Sequence, residues 1–406
     1  MNIVITHTDF RLYWPARIAA LNKLLQKNGH SLHVIEIAGK GSPYFFDKKT
    51  KMDRSINCTC LFPERKMETI SGKEASQALW NKLEKINPDV VLSGAIAFPS
   101  GATAVRWCRA KNKRVVIFDN ARLNDVPRSW FVNFIKQRIY ASVDAMLIPA
   151  KSHEKDFQYW GFNEKQVFYG LNVIDNQWFS EHSPKNLIER TKLRNKLNLP
   201  ESFFLGVGRF VKKKNWNDVL LAYDQICQNI NKPPALVLVG DGPEKQNLKK
   251  IIETKKIEKV IFKSFVSQEK ICSYYSFSEL LILASSSGET WGLVVNEAMA
   301  CSLPVIVSKQ CGCASTLVNE GENGFSFSAG NITELASKMT TFINLSNDTK
   351  KRMGEYSKNI INDWSLDRFA QGAWEAIQYS IKHPKKKKNV LDALIIKSWN
   401  GRYRPT

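Results

Sequence analysis

The sequence predicts an α/β protein of two domains, each a parallel sheet flanked by helices. Three observations carry that expectation. The 406 residues suit two cores better than one. Short, continuous apolar runs alternate with stretches of helical period in two separate series, as in sheets covered on both faces. An unpatterned polar stretch, Asn176 to Lys185, divides the two series.

The first series opens with a strand at Asn2 to Thr6 and a helix from about Pro15 to Lys27. It continues with strand Ser31 to Ile37, a helix near Lys73 to Lys85, strand Val90 to Ser93, a helix near Ala102 to Ala110 and strand Arg114 to Phe118. Helix Ser129 to Tyr140 then leads to strand Ala145 to Pro149. The second series has strands at Phe203 to Val207, Ala235 to Val239, Lys259 to Lys263, Leu280 to Ala284 and Pro304 to Val307, with helices such as Asn217 to Ile230 and Glu244 to Thr254 between them. Helices near Lys351 to Asn362 and Leu366 to Ile381 follow, then a basic tail, His383 to Thr406. The expected division is residues 1–178, 179–365 and 366–406, the last a helix packing back toward the first domain plus the tail. Two Rossmann-like halves of this kind place a ligand cleft at the carboxyl ends of both sheets.

With 43% apolar and 11% aromatic residues and 24% charge, the chain is neither disordered nor a small disulfide scaffold. Lys and Arg number 59 against 38 Asp and Glu, a net charge of +21, so an anionic partner is expected: nucleic acid, a bilayer leaflet or a phosphorylated substrate. The eight cysteines include no CxxC, which fits a reduced cytosolic interior. The CxC pairs Cys58/Cys60 and Cys311/Cys313 lack the spacing of a common zinc module. The start, MNIVITHTDF, has the pattern of a strand and not of a signal peptide, and no stretch approaches a membrane span, so any membrane contact is expected to be peripheral.

Two segments carry the chemistry. In Ala284 to Val307 a strand runs into a Ser/Gly-rich loop and a helix opens near Trp291-Gly292-Leu293, where backbone amides and the helix dipole suit a phosphate. Glu289 is either an acid favoured at a helix start or a hydroxyl acceptor. Glu297 is either a solvated face residue or an acceptor for vicinal hydroxyls. In LGVGRFVKKKN, Gly206 and Gly208 permit close backbone approach while Arg209 and Lys214 supply two positive charges; the alternative is a turn followed by solvated lysines.

Together these segments resemble the nucleotide-sugar-binding domain of retaining GT-B glycosyltransferases of family 4, over about Phe203 to Met339. The signature is two glutamates separated by seven residues, here Glu289-TWGLVVN-Glu297, followed by AMACSLPVIV and NEGENGF. GVGRFVKKK is similar to that family's diphosphate clamp, and GLNVID to the segment closing its first domain. The resemblance implies a GT-B fold and a hexosyltransferase-type enzyme of cell-surface polysaccharide or lipopolysaccharide synthesis in bacteria. It implies that Glu297 holds the ribose, that Glu289 with Gly208 and the backbone at Trp291, Gly292 and Leu293 contacts the donor, and that Arg209 and Lys214 neutralise the diphosphate. The donor is then a UDP-, GDP- or dTDP-sugar, the acceptor a saccharide or lipid-linked saccharide. No cofactor and no metal are expected, since the chain holds no Asp-x-Asp pair.

The chain departs from that pattern in four places. Thr6-HTDFRLYWPA-Arg17 stands where many members have Gly-Gly, and Phe118-Asp119-Asn120 where many have His-Asp; Ser302 and Asn215 each replace a glycine. Asp119, His7 and Arg17 are therefore the candidate acceptor or sugar contacts, His7 having the plainer reading of a core or surface histidine. Gly312 in KQCGCAS offers backbone approach to the sugar. Gly240-Asp241-Gly242-Pro243 has the pattern of a capped strand end.

An epimerase or hydrolase on the same fold is the alternative enzyme, and a basic nucleic-acid-binding protein with a decayed site the alternative from another class. No nucleic-acid-binding signature supports the latter, and nucleic acid is not an expected partner. From Arg106 to Arg138 nine basic residues face only Asp119 and Asp125, and SWFVNFIKQRIY can gather Trp130, Phe131, Phe134 and Ile135 on one helix face. Either that face meets an anionic leaflet, helped by Lys385 to Lys388, or it packs into the first domain. The expected location is cytoplasmic, peripheral on the inner face of the cytoplasmic membrane.

Overall fold

The computed structural model describes residues 1–40, 52–53, 55–184, 187–385 and 389–402. The first sheet contains β1 (Asn2–His7), β2 (Ser31–Lys40), β3 (Asn57–Lys66), β4 (Val90–Ser93), β5 (Arg114–Phe118), β6 (Ala145–Ile148) and β7 (Val167–Tyr169). Its spatial order is β3-β2-β1-β4-β5-β6-β7. The second contains β8 (Phe203–Val207), β9 (Ala235–Val239), β10 (Val260–Lys263), β11 (Leu280–Leu283), β12 (Val305–Ser308) and β13 (Gly324–Phe327), in the order β10-β9-β8-β11-β12-β13. The pairings in both sheets are parallel, for example Ile3↔Val90 and Leu281↔Leu205. Each sheet reverses its winding direction once, between β1 and β4 and between β8 and β11, and such a switch opens a crevice for a ligand at the strand ends.

Central strands are buried throughout in β4, β6, β9 and β11, and after Arg114 in β5, which explains their apolar sequences. Trp107, Trp160 and Val115 sit in the first core, and Phe204, Leu238, Ile282 and Trp216 in the second. Burial of each large apolar side chain contributes about 1.5 to 3 kcal/mol.

Three strands were absent from the expected list: β3, β7 and β13. All lie at sheet edges: half-exposed positions dilute the apolar run in β3 and β7, while β13 is a buried but short strand, GFSF, interrupted by serine. The polar stretch after Asp175 is not structureless: Asn176–Glu181 is a helix, capped by Asp175 Oδ1 accepting from Trp178 N at 2.9 Å. The basic tail likewise contains a helix, Val390–Ser398.

Two compact units result: residues 1–123, 127–173 and 366–406 form one, and 124–126 with 174–365 the other. The crossing at 173/174 lies ahead of the expected 178/179, and local bonds explain why. Arg17 Nε and Nη2 both donate to the Val173 carbonyl, at 2.9 and 2.6 Å, holding it to the first unit. Asn176 Nδ2 donates to the Ile361 and Trp364 carbonyls, at 2.7 and 3.1 Å, within the second. Helix Leu366–Lys382 lies against the first sheet so closely that a Cβ on Gly372 would come 2.0 Å from the Tyr169 carbonyl oxygen.

Candidate functional site

In the second unit β8 and β11 are neighbours at the switch point, so the segments that leave their carboxyl ends share one place in the fold. β8 ends into Gly208 and exposed Arg209, then a short 3-10 turn, Lys212–Lys214. Trp216, buried beneath, donates from Nε1 to the Arg209 carbonyl at 2.9 Å and fixes the backbone of that turn. β11 ends into Ser285 to Trp291. Ser286 N donates to the Lys213 carbonyl at 2.9 Å, lacing the two segments together.

That lacing brings Lys214 onto Glu289. The ammonium donates to Glu289 Oε2, which also accepts from Ser285 Oγ at 2.9 Å. The pair is only 14% and 17% exposed, so its attraction is screened far less than that of a surface ion pair. Two residues expected to contact different parts of a donor are thus bonded to each other.

Behind the pair the helix Leu293–Ala300 opens at Gly292, whose φ of 109° and whose neighbour Leu283, 2.7 Å from where a Cβ would stand, both demand glycine. Trp291 is buried and donates from Nε1 to Asn296 Oδ1 at 2.9 Å. Gly312 N donates to the Glu289 carbonyl at 3.0 Å and Cys313 N to the Trp291 carbonyl at 3.1 Å, so the KQCGCAS loop braces the same backbone. The first amides of the helix, at Leu293 and Val294, have no carbonyl a turn earlier to bond and carry the positive end of the dipole.

Glu297 is 5% exposed, which removes the solvated-face alternative. Its Oε2 accepts from the Tyr275 hydroxyl at 2.6 Å, leaving a carboxylate that can accept further hydrogen bonds. Tyr275 and Ser285 were not among the expected site residues. Tyr275 lies 22 residues away on another helix, Gln268–Phe277, with no motif to mark it. Ser285 sits four residues before Glu289, and only its place in the Ser-rich loop hinted at it.

The glycine replacements have a direct explanation. Asn215 and Ser302 both adopt left-handed backbone, with φ of 57° and 59°. Ser302 closes its helix as a Schellman turn, with Leu303 N donating to the Ala298 carbonyl at 3.0 Å.

His7, Arg17 and Asp119 lie in the first unit. His7 ends β1 inside a ring cage, its centroid 5.7 Å from that of Trp14 and 5.5 Å from Phe118, with Phe10 and Phe98 at 6.0 Å. Among the described residues its buried Nδ1 has no hydrogen-bond partner. Burial pulls its pKa down to about 4 against the opposing charge of Asp119, so the ring is neutral at pH 7. Asp119 accepts from Tyr140 Oη at 2.8 Å and from Ala121 N at 2.9 Å, with Lys136 Nζ 4.0 Å away. Lys136 lies 3.3 Å from the Trp160 ring centroid, and burial takes its pKa down to about 8. Arg17, buried and committed to Val173, ties the chain where it leaves the first unit.

Cys272 is buried beside Cys301, and its pKa is pushed up by the thiol bond to Cys301 and then by burial. No disulfide joins any of the eight cysteines, and among the described residues no three His, Cys, Asp or Glu gather as a metal site. Among the same residues no helix is long and apolar enough to cross a membrane.

Residues 189–360 match the family model "Glycosyl transferases group 1". The chain is 25% identical over 220 residues to N-acetyl-alpha-D-glucosaminyl L-malate synthase of Bacillus anthracis, covering 53% of this chain and 54% of that protein. It is 33% identical over 138 residues to alpha-monoglucosyldiacylglycerol synthase of Acholeplasma laidlawii, covering 33% of this chain and 34% of the relative. It thus spans about half or less of the length of these curated relatives. A glycosyltransferase from Rickettsia africae superposes with a TM-score of 0.72 at 17% identity, covering 94% of this chain and 99% of that one. The chain has the GT-B fold, and most of its second unit is matched by that family model.

Proposed function

We propose that the chain is a retaining, metal-independent glycosyltransferase. It moves a sugar from a UDP-, GDP- or dTDP-sugar to a saccharide or lipid-linked saccharide in cell-surface polysaccharide synthesis, at the cytoplasmic side of the membrane. The observation that carries this reading is the Lys214–Glu289 pair set beside the amino terminus of helix Leu293–Ala300, with the buried carboxylate of Glu297 one turn behind.

The chemistry follows from charge. As the anomeric C–O bond breaks, its electron pair goes to the β-phosphate oxygen, and the developing charge needs fixed positive groups. Arg209, Lys214 and the helix amides supply them, with Lys214 exchanging part of its bond with Glu289 for the phosphate. Glu289 is then released toward the sugar, and Glu297 accepts from the ribose hydroxyls. The acceptor oxygen bonds to the anomeric carbon on the face the diphosphate leaves, and the departing phosphate oxygen takes its proton. The names of the two curated relatives, one an N-acetylglucosaminyl malate synthase and one a glucosyldiacylglycerol synthase, support sugar transfer as the reaction class.

The proton NMR spectrum of the product tests the stereochemistry: the donor's anomeric configuration is expected in the new linkage, and inversion would refute the mechanism. Turnover undiminished in excess EDTA is expected as well. Loss of activity on chelation, restored by magnesium, would assign the diphosphate to a metal instead.

A further inference from the structure

We propose that two neighbouring helices of the first unit, Trp130–Tyr140 and Val390–Ser398, form a docking surface for an anionic lipid leaflet. The proposal does not depend on the donor site, which lies on the other unit.

Both helices are well made. Ser129 Oγ accepts from Val132 N at 3.3 Å and Asn389 Oδ1 from Leu391 N at 2.9 Å, capping each amino terminus. They pack together, fastened by Arg138 Nε and Asp392 Oδ1 at 2.6 Å. Their inner sides are already satisfied: Ile139, Tyr140 and Ile396 are in the core, and Trp399 Nε1 donates to the Ile96 carbonyl at 2.7 Å. The apolar residues that remain point outward. Trp130 is 77% exposed and Phe131 55% on the first helix, Val390 78% and Leu394 61% on the second, with Val132 and Leu391 also exposed. Positions 130, 131 and 134, and 390, 391 and 394, are spaced to share a helix side. An ordinary surface helix keeps its outer side polar, and these do not.

Charge selects the occupant. In sequence, residues 126–140 and 382–399 contain nine Lys and Arg against one acid, Asp392, although Lys136 is turned onto the Trp160 ring and Arg138 onto Asp392. That acid is buried and paired with Arg138, so the outer side carries no exposed carboxylate of its own. Lys382 and Lys397 are exposed. Of the run Lys385 to Lys388, Lys386, Lys387 and Lys388 lie outside the described residues. Two such basic faces repel, which disfavours a second copy of the chain. Exposed aromatic and aliphatic side chains on helices that carry exposed lysine and no exposed acid match an interface of acyl chains and anionic headgroups, where tryptophan is favoured and each nearby cation adds attraction.

Sedimentation with phosphatidylcholine vesicles, with and without phosphatidylglycerol, tests this using the full chain. Binding is expected only to the anionic vesicles and is expected to fall with salt. The double variants Trp130→Ser/Phe131→Ser and Val390→Ser/Leu394→Ser are each expected to weaken it about tenfold, since each removes two inserting side chains. Their circular dichroism and their calorimetric affinity for a nucleoside diphosphate are expected to match wild type, which separates this test from that of the donor site. Equal recovery with both vesicle types, or unchanged binding by both variants, overturns the proposal. A dimer in sedimentation equilibrium that the same substitutions dissolve overturns it too, by placing a second copy on the surface.

Discussion

Replacing Glu297 by alanine removes a carboxylate that is 5% exposed and bonded to the Tyr275 hydroxyl at 2.6 Å. If its remaining lone pairs hold ribose hydroxyls, the variant loses hydrogen bonds to a charged acceptor, about 1.5 to 3 kcal/mol in nucleotide affinity or roughly 10- to 150-fold in Kd. The same change removes the carboxylate to which the Tyr275 hydroxyl donates, costing about 1 to 3 kcal/mol of stability. Tyr275→Phe separates the two effects: the carboxylate stays but loses its orienting bond, so affinity is expected to fall several-fold at most. Isothermal titration with ribose and 2′- and 3′-deoxy nucleoside diphosphates isolates the contact, because a hydroxyl whose partner is Glu297 contributes nothing further in the alanine variant. Deoxy nucleotides that bind wild type as tightly as their ribose counterparts would refute the assignment.

Glu289→Gln is expected to lower turnover while tightening diphosphate binding, because Lys214 loses the carboxylate that competes for it; kcat and calorimetric Kd together check this, and weaker diphosphate binding would count against it. Ser302→Gly relieves a left-handed serine at φ 59° and is expected to add about 1 kcal/mol, roughly 2 to 4 °C in the Tm of the second unit. Calorimetry showing a lower Tm would mean that the serine side chain has a stabilising role. The His7 ring, with its pKa held down near 4, takes up a proton in the unfolded chain before the folded one does, so stability falls as pH drops from about 6.5 toward 4 and is level below that. Denaturant titrations at pH 7 and 4.5 are expected to show His7→Phe losing about 2 to 3 kcal/mol less than wild type over that interval. Equal losses would place a polar partner or water at Nδ1.

The central strands of both sheets were legible because burial on two faces leaves a continuous apolar run, as in ALVLV of β9 and LLIL of β11. The edge strands β3, β7 and β13 were not, since one side of each meets solvent or the strand is only three or four residues long where apolar. At the site, the spacing of Glu289 and Glu297 and the cations of GVGRFVKKK mark the segments in the sequence itself. What spacing does not convey is which groups meet: Tyr275 reaches Glu297 from a different helix, and Lys214 is bonded to Glu289. The polar residues of the first unit have contacts that spacing does not convey either. Arg17 and Asp119 stand near strand ends, yet Arg17 binds a backbone carbonyl and Asp119 a tyrosine, an amide and a lysine. The segment Trp130 to Phe134 left core and membrane surface open, and its exposure in the fold decides against core.

The most direct test of donor cleavage at this site is nucleoside diphosphate release from a panel of UDP-, GDP- and dTDP-sugars, compared between wild type and Lys214→Ala in the presence of EDTA. The wild-type protein is expected to release diphosphate from at least one donor, faster with a saccharide acceptor present, and Lys214→Ala to be slower by about two to three orders of magnitude, as for loss of one group that stabilises transition-state charge. Wild-type release that Lys214→Ala leaves unchanged, or no release from any donor, would contradict it.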